Sequence, residues 1–378
     1  MGPAVETDHT YWGPRVAMRG DDVDGGDLAH SLYLVARLLG VRALRRFARM
    51  DTLTHGLVGL AIAAMPWPQR LKVATDARTA LRASIAVGVV AAELPDLDYL
   101  LPAGDDVLHT LRAHRGLTHA LAFVPVIALV AAALVKLVFR AADFTALFLR
   151  ALVTVPIAHL LVDLWTGWGT RLLLPFSESR LALDWTMVVD PWFTLPLLAA
   201  ALWSLGRRAD FQRAFRLALV VCVGYLVLRV AISRHHASIV RQAYSGADSV
   251  HVFPVLLGVT RLRYVARLGP DYAAGAVSFA GVSEQARVAA LPDGPVPAGL
   301  LGVPTVREAL EWSRFPVVSM APQAASTRIR VADLRYHLQG RPTLAFVIDV
   351  TDRGTVTTAR LERGGSASDL LRRWWRER

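Results

Sequence analysis

Cysteine is nearly absent. The one thiol, Cys222, lies in an apolar run, so neither a disulfide framework nor a Cys-rich zinc site is available to this chain. No uninterrupted apolar core followed by a small-residue cleavage site opens the sequence, which argues against a cleavable signal peptide. Internal repeats and low-complexity segments are also missing. No nucleic-acid-binding module accompanies the formal charge of +11, so no nucleic-acid partner is expected. What the chain has in excess is apolar side chain. Of its 378 residues 54% are hydrophobic and the mean hydropathy is +0.38, the composition of a membrane protein. In that setting surplus arginine belongs in cytoplasmic loops and beside anionic headgroups.

Three regions differ in texture. Residues 1–49 are polar and acidic around "RGDDVDGGD", then amphipathic and arginine-rich from Leu28 to Arg49. They read either as an interfacial helix or as a non-native leader ahead of a start at Met50, the second being favoured. Residues 50–232 hold six candidate spans when judged against the roughly 20 apolar residues that a crossing helix needs. These are Leu53 to Met65, Leu81 to Leu101, Leu117 to Val135, Thr145 to Trp165, Trp185 to Leu205 and Phe215 to Ile232. From residue 233 onward, β-prone runs such as "HVFPVLL", "AVSFAGV", "TRIRV" and "TLAFVIDV" alternate with turn residues, and "TVREALEWSRF" and "ASDLLRRWWRER" read as helices. The expected fold is therefore mainly α, a polytopic helical bundle followed by a small α+β domain outside the bilayer.

Ionisable groups inside apolar spans are costly and hence functional candidates. Asp51 and His55 stand at i, i+4 in "MDTLTHGL"; Glu93, Asp96 and Asp98 fall in "AAELPDLDYL"; His114, Arg115 and His119 in "HRGLTHALAF"; His159 and Asp163, again i, i+4, in "AHLLVDLWTGWG". Asp184 and Asp190 precede the fifth span. If the helices alternate in direction, all five clusters reach the same membrane face. The opposite face collects Arg70, Lys72, Arg78, Arg82, Lys136, Arg140, Arg150, Arg207, Arg208, Arg213 and Arg216, which the positive-inside rule makes cytoplasmic. The site and the C-terminal domain would then face outward. Arg42, Arg45, Arg46 and Arg49 oppose this orientation unless translation begins at Met50.

Taken singly, each signal has an ordinary explanation. Asp51 suits a helix cap, Asp96 after Pro95 suits a turn, and His55 or His159 suits an interhelical hydrogen bond. Arg115 could anchor at headgroups or bind an anionic substrate. Trp165, Trp168, Trp185 and Trp192 read as an interfacial belt, and His235 and His236 as surface residues. The five-residue spacing of His114 and His119 does not put them on one helical face, so His114 is expected in a loop and His119 in the first turns of a span.

Together the residues suit a divalent ion. Imidazole and carboxylate without thiolate match zinc first, with manganese or iron as alternatives, and several carboxylates allow one or two ions. Such an ion activates a coordinated water and polarises a carbonyl or phosphoryl oxygen, with Glu93 as the expected general base and Arg115 as the expected anion contact. The substrate would be a phosphoester or other ester of a lipid-like molecule held by the bilayer. Two further readings stay open. Intramembrane acids and histidines also serve ion or proton-coupled transport, although transporter sites usually lie near the midplane. A non-catalytic assembly protein with a structural metal would instead show a closed ligand shell.

The segments "MDTLTHGLVG", "ELPDLDYL", "HRGLTHALAF" and "AHLLVDLWTGWG", in that order, resemble the YdjM-type family of bacterial inner-membrane, metal-dependent hydrolases. The resemblance covers about residues 50 to 200, and less specifically "EWSRFP" and "RIRVADLRY" in the tail. It implies a multi-pass inner-membrane hydrolase with metal ligands at Asp51, His55, Asp96, Asp98, His114, His119, His159 and Asp163, and a native start near Met50. A fainter similarity to zinc-dependent phospholipase C, through "TH", "PD" and "HxxxD" elements, implies a phosphoester substrate.

Overall fold

Six apolar runs between residues 52 and 243 become helices, but they divide into two kinds. A computed structural model describes residues 52–100, 114–206, 210–292, 294–338 and 341–364. Asp51, the segment 1–49 and the helix expected in "ASDLLRRWWRER" lie outside the described residues. Three helices among the described residues are long and apolar enough to cross a bilayer: Leu121–Val138, Phe144–Trp165 and Phe211–Ala243. The regular part of the first is α3 (Val124–Val138); the second is α4 (Phe144–Trp165) and the third α6 (Phe211–Ala243). They follow α1 (Thr52–Ala63) and α2 (Ala77–Glu93), and α5 (Pro191–Gly206) lies between α4 and α6.

The six expected spans therefore reduce to three. At 1.5 Å per residue α1 extends only about 18 Å, α5 about 24 Å and α2 about 25 Å, short of the roughly 30 Å hydrocarbon core. Apolar composition misled the count because these helices are apolar for a different reason. From Thr54 to Ile62 nearly every residue of α1 is buried against its neighbours, so its hydrophobicity serves the interior of the bundle. The lipid-type exterior belongs to α3 and α6, where Leu137, Leu217, Val220 and Val227 are all more than 60% exposed. The remaining length in the expected second and fifth spans is not α-helix. Leu94–Leu100 is a 3₁₀ segment, and Asp190 stops the loop before α5 by accepting from the Trp192 amide at 3.1 Å.

Glycine draws α1 and α2 together. A Cβ on Gly59 would lie 2.4 Å from the Gly88 carbonyl oxygen, and one on Gly88 would lie 2.5 Å from that of Gly59. The two backbones can touch only because neither residue has a side chain. Within α4, Pro156 supplies no amide hydrogen, and the helix widens to a π turn over Val155–Leu160.

Helix α6 has 33 residues, about 50 Å, so it is longer than a bilayer crossing needs and passes the expected domain boundary at 232 without a break. Its far end carries two sheets. β1 (Ser249–Val255), β2 (Gly258–Leu268), β3 (Asp271–Ser278) and β4 (Gly281–Ala289) form an antiparallel meander. Helices α7 (Ala298–Leu301) and α8 (Pro304–Trp312) lead to β5 (Pro316–Pro322) and β6 (Thr327–Asp333). A two-residue ladder, β7 (His337–Leu338) with β8 (Arg341–Pro342), precedes β9 (Leu344–Val350) and β10 (Val356–Arg363). The second sheet has the order β10-β9-β6-β5, and Val306, Ala309 and Trp312 of α8 pack on its Ile329, Phe346 and Ile348. The strand β2 escapes a hydropathy reading because "TRLRYVARL" interleaves arginine with its apolar positions.

The domain is fastened to α6 by polar groups that the sequence did not flag. Arg229 is fully buried and donates to the carbonyls of Trp185 (3.1 Å), Gly258 (3.1 Å) and Val259 (2.9 Å). His236, expected at the surface, is instead fully buried and bonds the Thr260 carbonyl at 2.7 Å. It faces the sheet because α6 continues without a break to Ala243.

Candidate metal centre

The polar residues of α1, the α2 terminus, the 114–119 turn and α4 meet at the end of the bundle nearest the β-domain. His55, Asp96, Asp98, His114, His119, His159 and Asp163 are each at most 5% exposed. Three overlapping groups have ligand atoms within 4.8 Å of one another: His55, Asp96 and His159; Asp96, His114 and His119; and His119, His159 and Asp163.

Each side chain is aimed by an identifiable partner. His55 Nδ1 lies 2.9 Å from the Ala158 carbonyl, and His159 Nδ1 lies 2.6 Å from that of Ala92. A carbonyl only accepts, so both rings carry their proton on Nδ1 and turn Nε2 inward. Thr118 Oγ1 donates to Asp98 Oδ2 at 2.9 Å. With its one proton committed, the same hydroxyl accepts from His119 Nδ1 at 2.9 Å. His119 is thereby assigned the same tautomer as His159 from the hydrogen-bond network.

The consequence is chemically unusual. His119 Nε2 and His159 Nε2 stand 2.9 Å apart, and in neutral rings both nitrogens present lone pairs. Asp96 Oδ1 lies 3.3 Å from the first and 3.4 Å from the second. Asp163 Oδ2 lies 3.3 Å from His119 Nε2 and is a buried oxygen that accepts no hydrogen bond. Acceptors facing acceptors repel unless a proton or a metal cation stands among them, and imidazole nitrogens gathered with two carboxylates are a donor set that fits a divalent ion.

The rest of the shell supports this group. Arg115 is buried, and its guanidinium binds Asp163 Oδ1 at 2.6 Å and Thr166 Oγ1 at 2.8 Å. It thus engages Asp163 Oδ1, which also lies 3.4 Å from His55 Nε2, and leaves Oδ2 turned toward His119. The anion contact expected of Arg115 is in this structure made with Asp163. A positive φ of 59° at Arg115 folds the chain sharply between His114 and Gly116, a conformation that costs a non-glycine residue about 1 kcal/mol or more. His114, in that turn, bonds Asp98 Oδ1 at 3.1 Å. Burial pushes its imidazole pKa down, against the Asp98 and Asp96 carboxylates that raise it.

His114 and His119 meet edge to face with ring centroids 5.4 Å apart, one from the turn and the other from the 3₁₀ segment Leu117–His119. Asp98 belongs to none of the three groups and acts on His114 and Thr118. Glu93, at the end of α2, has Oε1 2.9 Å from where a Gly56 side chain would begin, beside His55 in sequence and outside the three groups. Asp184 pairs with Arg314 at 2.8 Å, and Asp190 accepts from Tyr225 at 2.9 Å, so neither joins the cluster. Trp168 leaves the expected interfacial belt and packs on Trp312, ring centroids 4.9 Å apart.

Residues 50–236 match the family described as YdjM inner membrane protein. That segment is similar to the YdjM family. All seven clustered residues, with Arg115 and Glu93, fall inside the matched segment, whereas the two sheets lie beyond it. The uncharacterized protein YfhP of Bacillus subtilis (strain 168) is 30% identical over 182 residues, 48% of this chain and 54% of the relative. The matched region thus spans about half the length of that curated relative. No solved structure matches the chain.

Proposed function

We propose that this protein is a multi-pass membrane hydrolase that uses a divalent metal, zinc in the first instance, on a phosphoester or ester of an amphiphile. The facing lone pairs of His119 and His159 beside Asp96 and the unbonded Asp163 Oδ2 carry this reading. A bound ion supplies a water acidified toward neutrality and a Lewis acid for the scissile oxygen. The protein's part is to aim His55, His119 and His159 through their Nδ1 contacts, to orient Asp163 through Arg115, and to exclude bulk water by burial. Asp96, shared by two of the three groups, gives room for a second ion. Glu93, whose Oε1 lies beside Gly56, is the proposed base.

Metal analysis of the detergent-purified full chain, beside hydrolysis of a chromogenic phosphodiester, tests the proposal. We expect stoichiometric metal and an activity lost on chelation and restored by zinc. Wild-type protein that holds no metal after purification without chelators sinks it. The burial of every ligand supports a second reading, in which the ion is structural and the β-domain binds a partner; tightly held metal with no ester hydrolysis decides for that one.

The orientation proposed places the site and the β-domain outside the cytoplasm. It is supported by the basic residues Arg70, Lys72, Arg78, Lys136 and Arg140, which flank the other end of the bundle. A reporter fused to the C-terminus is expected to read extracytoplasmic, and a cytoplasmic signal reverses the assignment.

A further inference from the structure

The β-domain lies outside the YdjM match, yet one of its side chains reaches the loop that supports the cluster. Arg335, in the 3₁₀ turn Leu334–Tyr336, is 8% exposed. Asp333 Oδ2 takes its Nε at 3.0 Å and its Nη2 at 2.8 Å, while the Trp312 carbonyl takes Nη2 at 3.2 Å. The guanidinium lies over the rings of Trp312 (4.9 Å) and Tyr336 (5.2 Å). With one edge fixed, Nη1 points out of the domain and donates to the Gly167 carbonyl.

Gly167 follows Thr166, and Thr166 is a hinge of the site. Its Oγ1 donates to the Asp163 carbonyl at 2.8 Å and accepts from Arg115 Nη1 at 2.8 Å. The loop is tied a second time when the Arg171 amide donates to the Arg115 carbonyl at 3.1 Å. Next in sequence, Trp168 packs edge-on against the stacked rings of Trp312 and Tyr336, at 4.9 and 6.3 Å. A continuous set of contacts thus runs from Asp333 through Arg335, Gly167, Thr166 and Arg115 to Asp163.

From this geometry we infer that the β-domain sets the ligand geometry of the cluster, with Arg335 as a positioning residue that holds the 166–171 loop and through it Arg115 and Asp163. The inference rests on the metal reading. Arg115 can hold the Asp163 carboxylate in this orientation, with Oδ2 turned toward His119, only while Thr166 stays in place to receive its other nitrogen. Lysine at 335 has no planar fork and cannot bind Asp333 twice while also reaching Gly167.

Cobalt titration of the detergent-purified full chain tests this, because the visible spectrum of bound Co²⁺ reports its coordination independently of any substrate. Arg335→Ala is expected to weaken cobalt binding by roughly 10–100-fold, the effect of losing an outer partner of a ligand, and to change the shape of the absorption envelope. Arg335→Lys should fall between Arg335→Ala and wild type and secures the test if the alanine variant does not fold. Arg328→Gln, which removes an ion pair to Asp349 on the second sheet, should leave the spectrum unchanged. A folded Arg335→Ala or Arg335→Lys protein with the wild-type spectrum and affinity overturns the inference, as does an equal change in Arg328→Gln. A wild-type protein that binds no cobalt overturns the metal reading itself and the inference with it.

Discussion

Replacing His119 with alanine is expected to lower zinc affinity by more than about 100-fold, beyond the 10–100-fold loss typical of an outer partner. His119 belongs to two of the three ligand groups and faces His159 Nε2, Asp96 Oδ1 and Asp163 Oδ2 at 2.9, 3.3 and 3.3 Å. Its removal takes a nitrogen from the place where these acceptors converge. Asp98→Asn should be milder and of a different kind. The asparagine can still accept from Thr118 through one atom, but it no longer offers carboxylate oxygens to both Thr118 and His114, so the proton is less firmly held on His119 Nδ1. Its expected cost is about 10–100-fold. Chelator competition on the purified proteins measures both, and a His119→Ala protein with wild-type zinc affinity rules out the cluster as a metal site.

Much of this cluster was legible because it depends on order along the chain. The i, i+4 spacing of His159 and Asp163 places both on one side of α4, and alternating helix direction brings the other clusters to the same end. That convergence does not require each helix to cross the membrane. It survives the reduction from six spans to three because α1 and α2 still run in opposite directions inside the bundle. The number of spans was not legible, since Leu57, Val58 and Leu60 are as hydrophobic in an interior helix as they would be against lipid.

The aiming of the ligands was less visible still. Two of the key partners are the Ala92 and Ala158 carbonyls, and any residue has a carbonyl. Thr118 left a trace, a hydroxyl directly before His119 in "LTH", but its proton direction depends on Asp98, twenty positions away. Arg335 left none, because its contact with Gly167 joins residues 168 positions apart. His236 shows the same limit from the other side, since only the uninterrupted course of α6 reveals that it meets a sheet.

Gly59→Leu should uncouple the site without touching any ligand. The new Cβ would sit 2.4 Å from the Gly88 carbonyl oxygen and 2.9 Å from the Ala92 Cβ. The first is backbone, so no rotamer relieves the clash and α1 must move away from α2. Overpacking of this kind costs roughly 1–3 kcal/mol, but its position matters more than its size. Gly59 lies one helical turn after His55 on the same face of α1, and Ala92, one turn after Gly88 on α2, gives its carbonyl to His159 Nδ1 at 2.6 Å. Separating the helices therefore pulls His55 away from Asp96 and His159 and disturbs the ring that faces His119. Lower thermal stability in detergent and weaker zinc binding should appear together. Gly224→Ala in α6, where an added Cβ meets nothing within 4 Å, should change neither. If Gly59→Leu keeps the wild-type melting temperature and zinc affinity, the close approach of α1 and α2 is not what places His55 in the cluster.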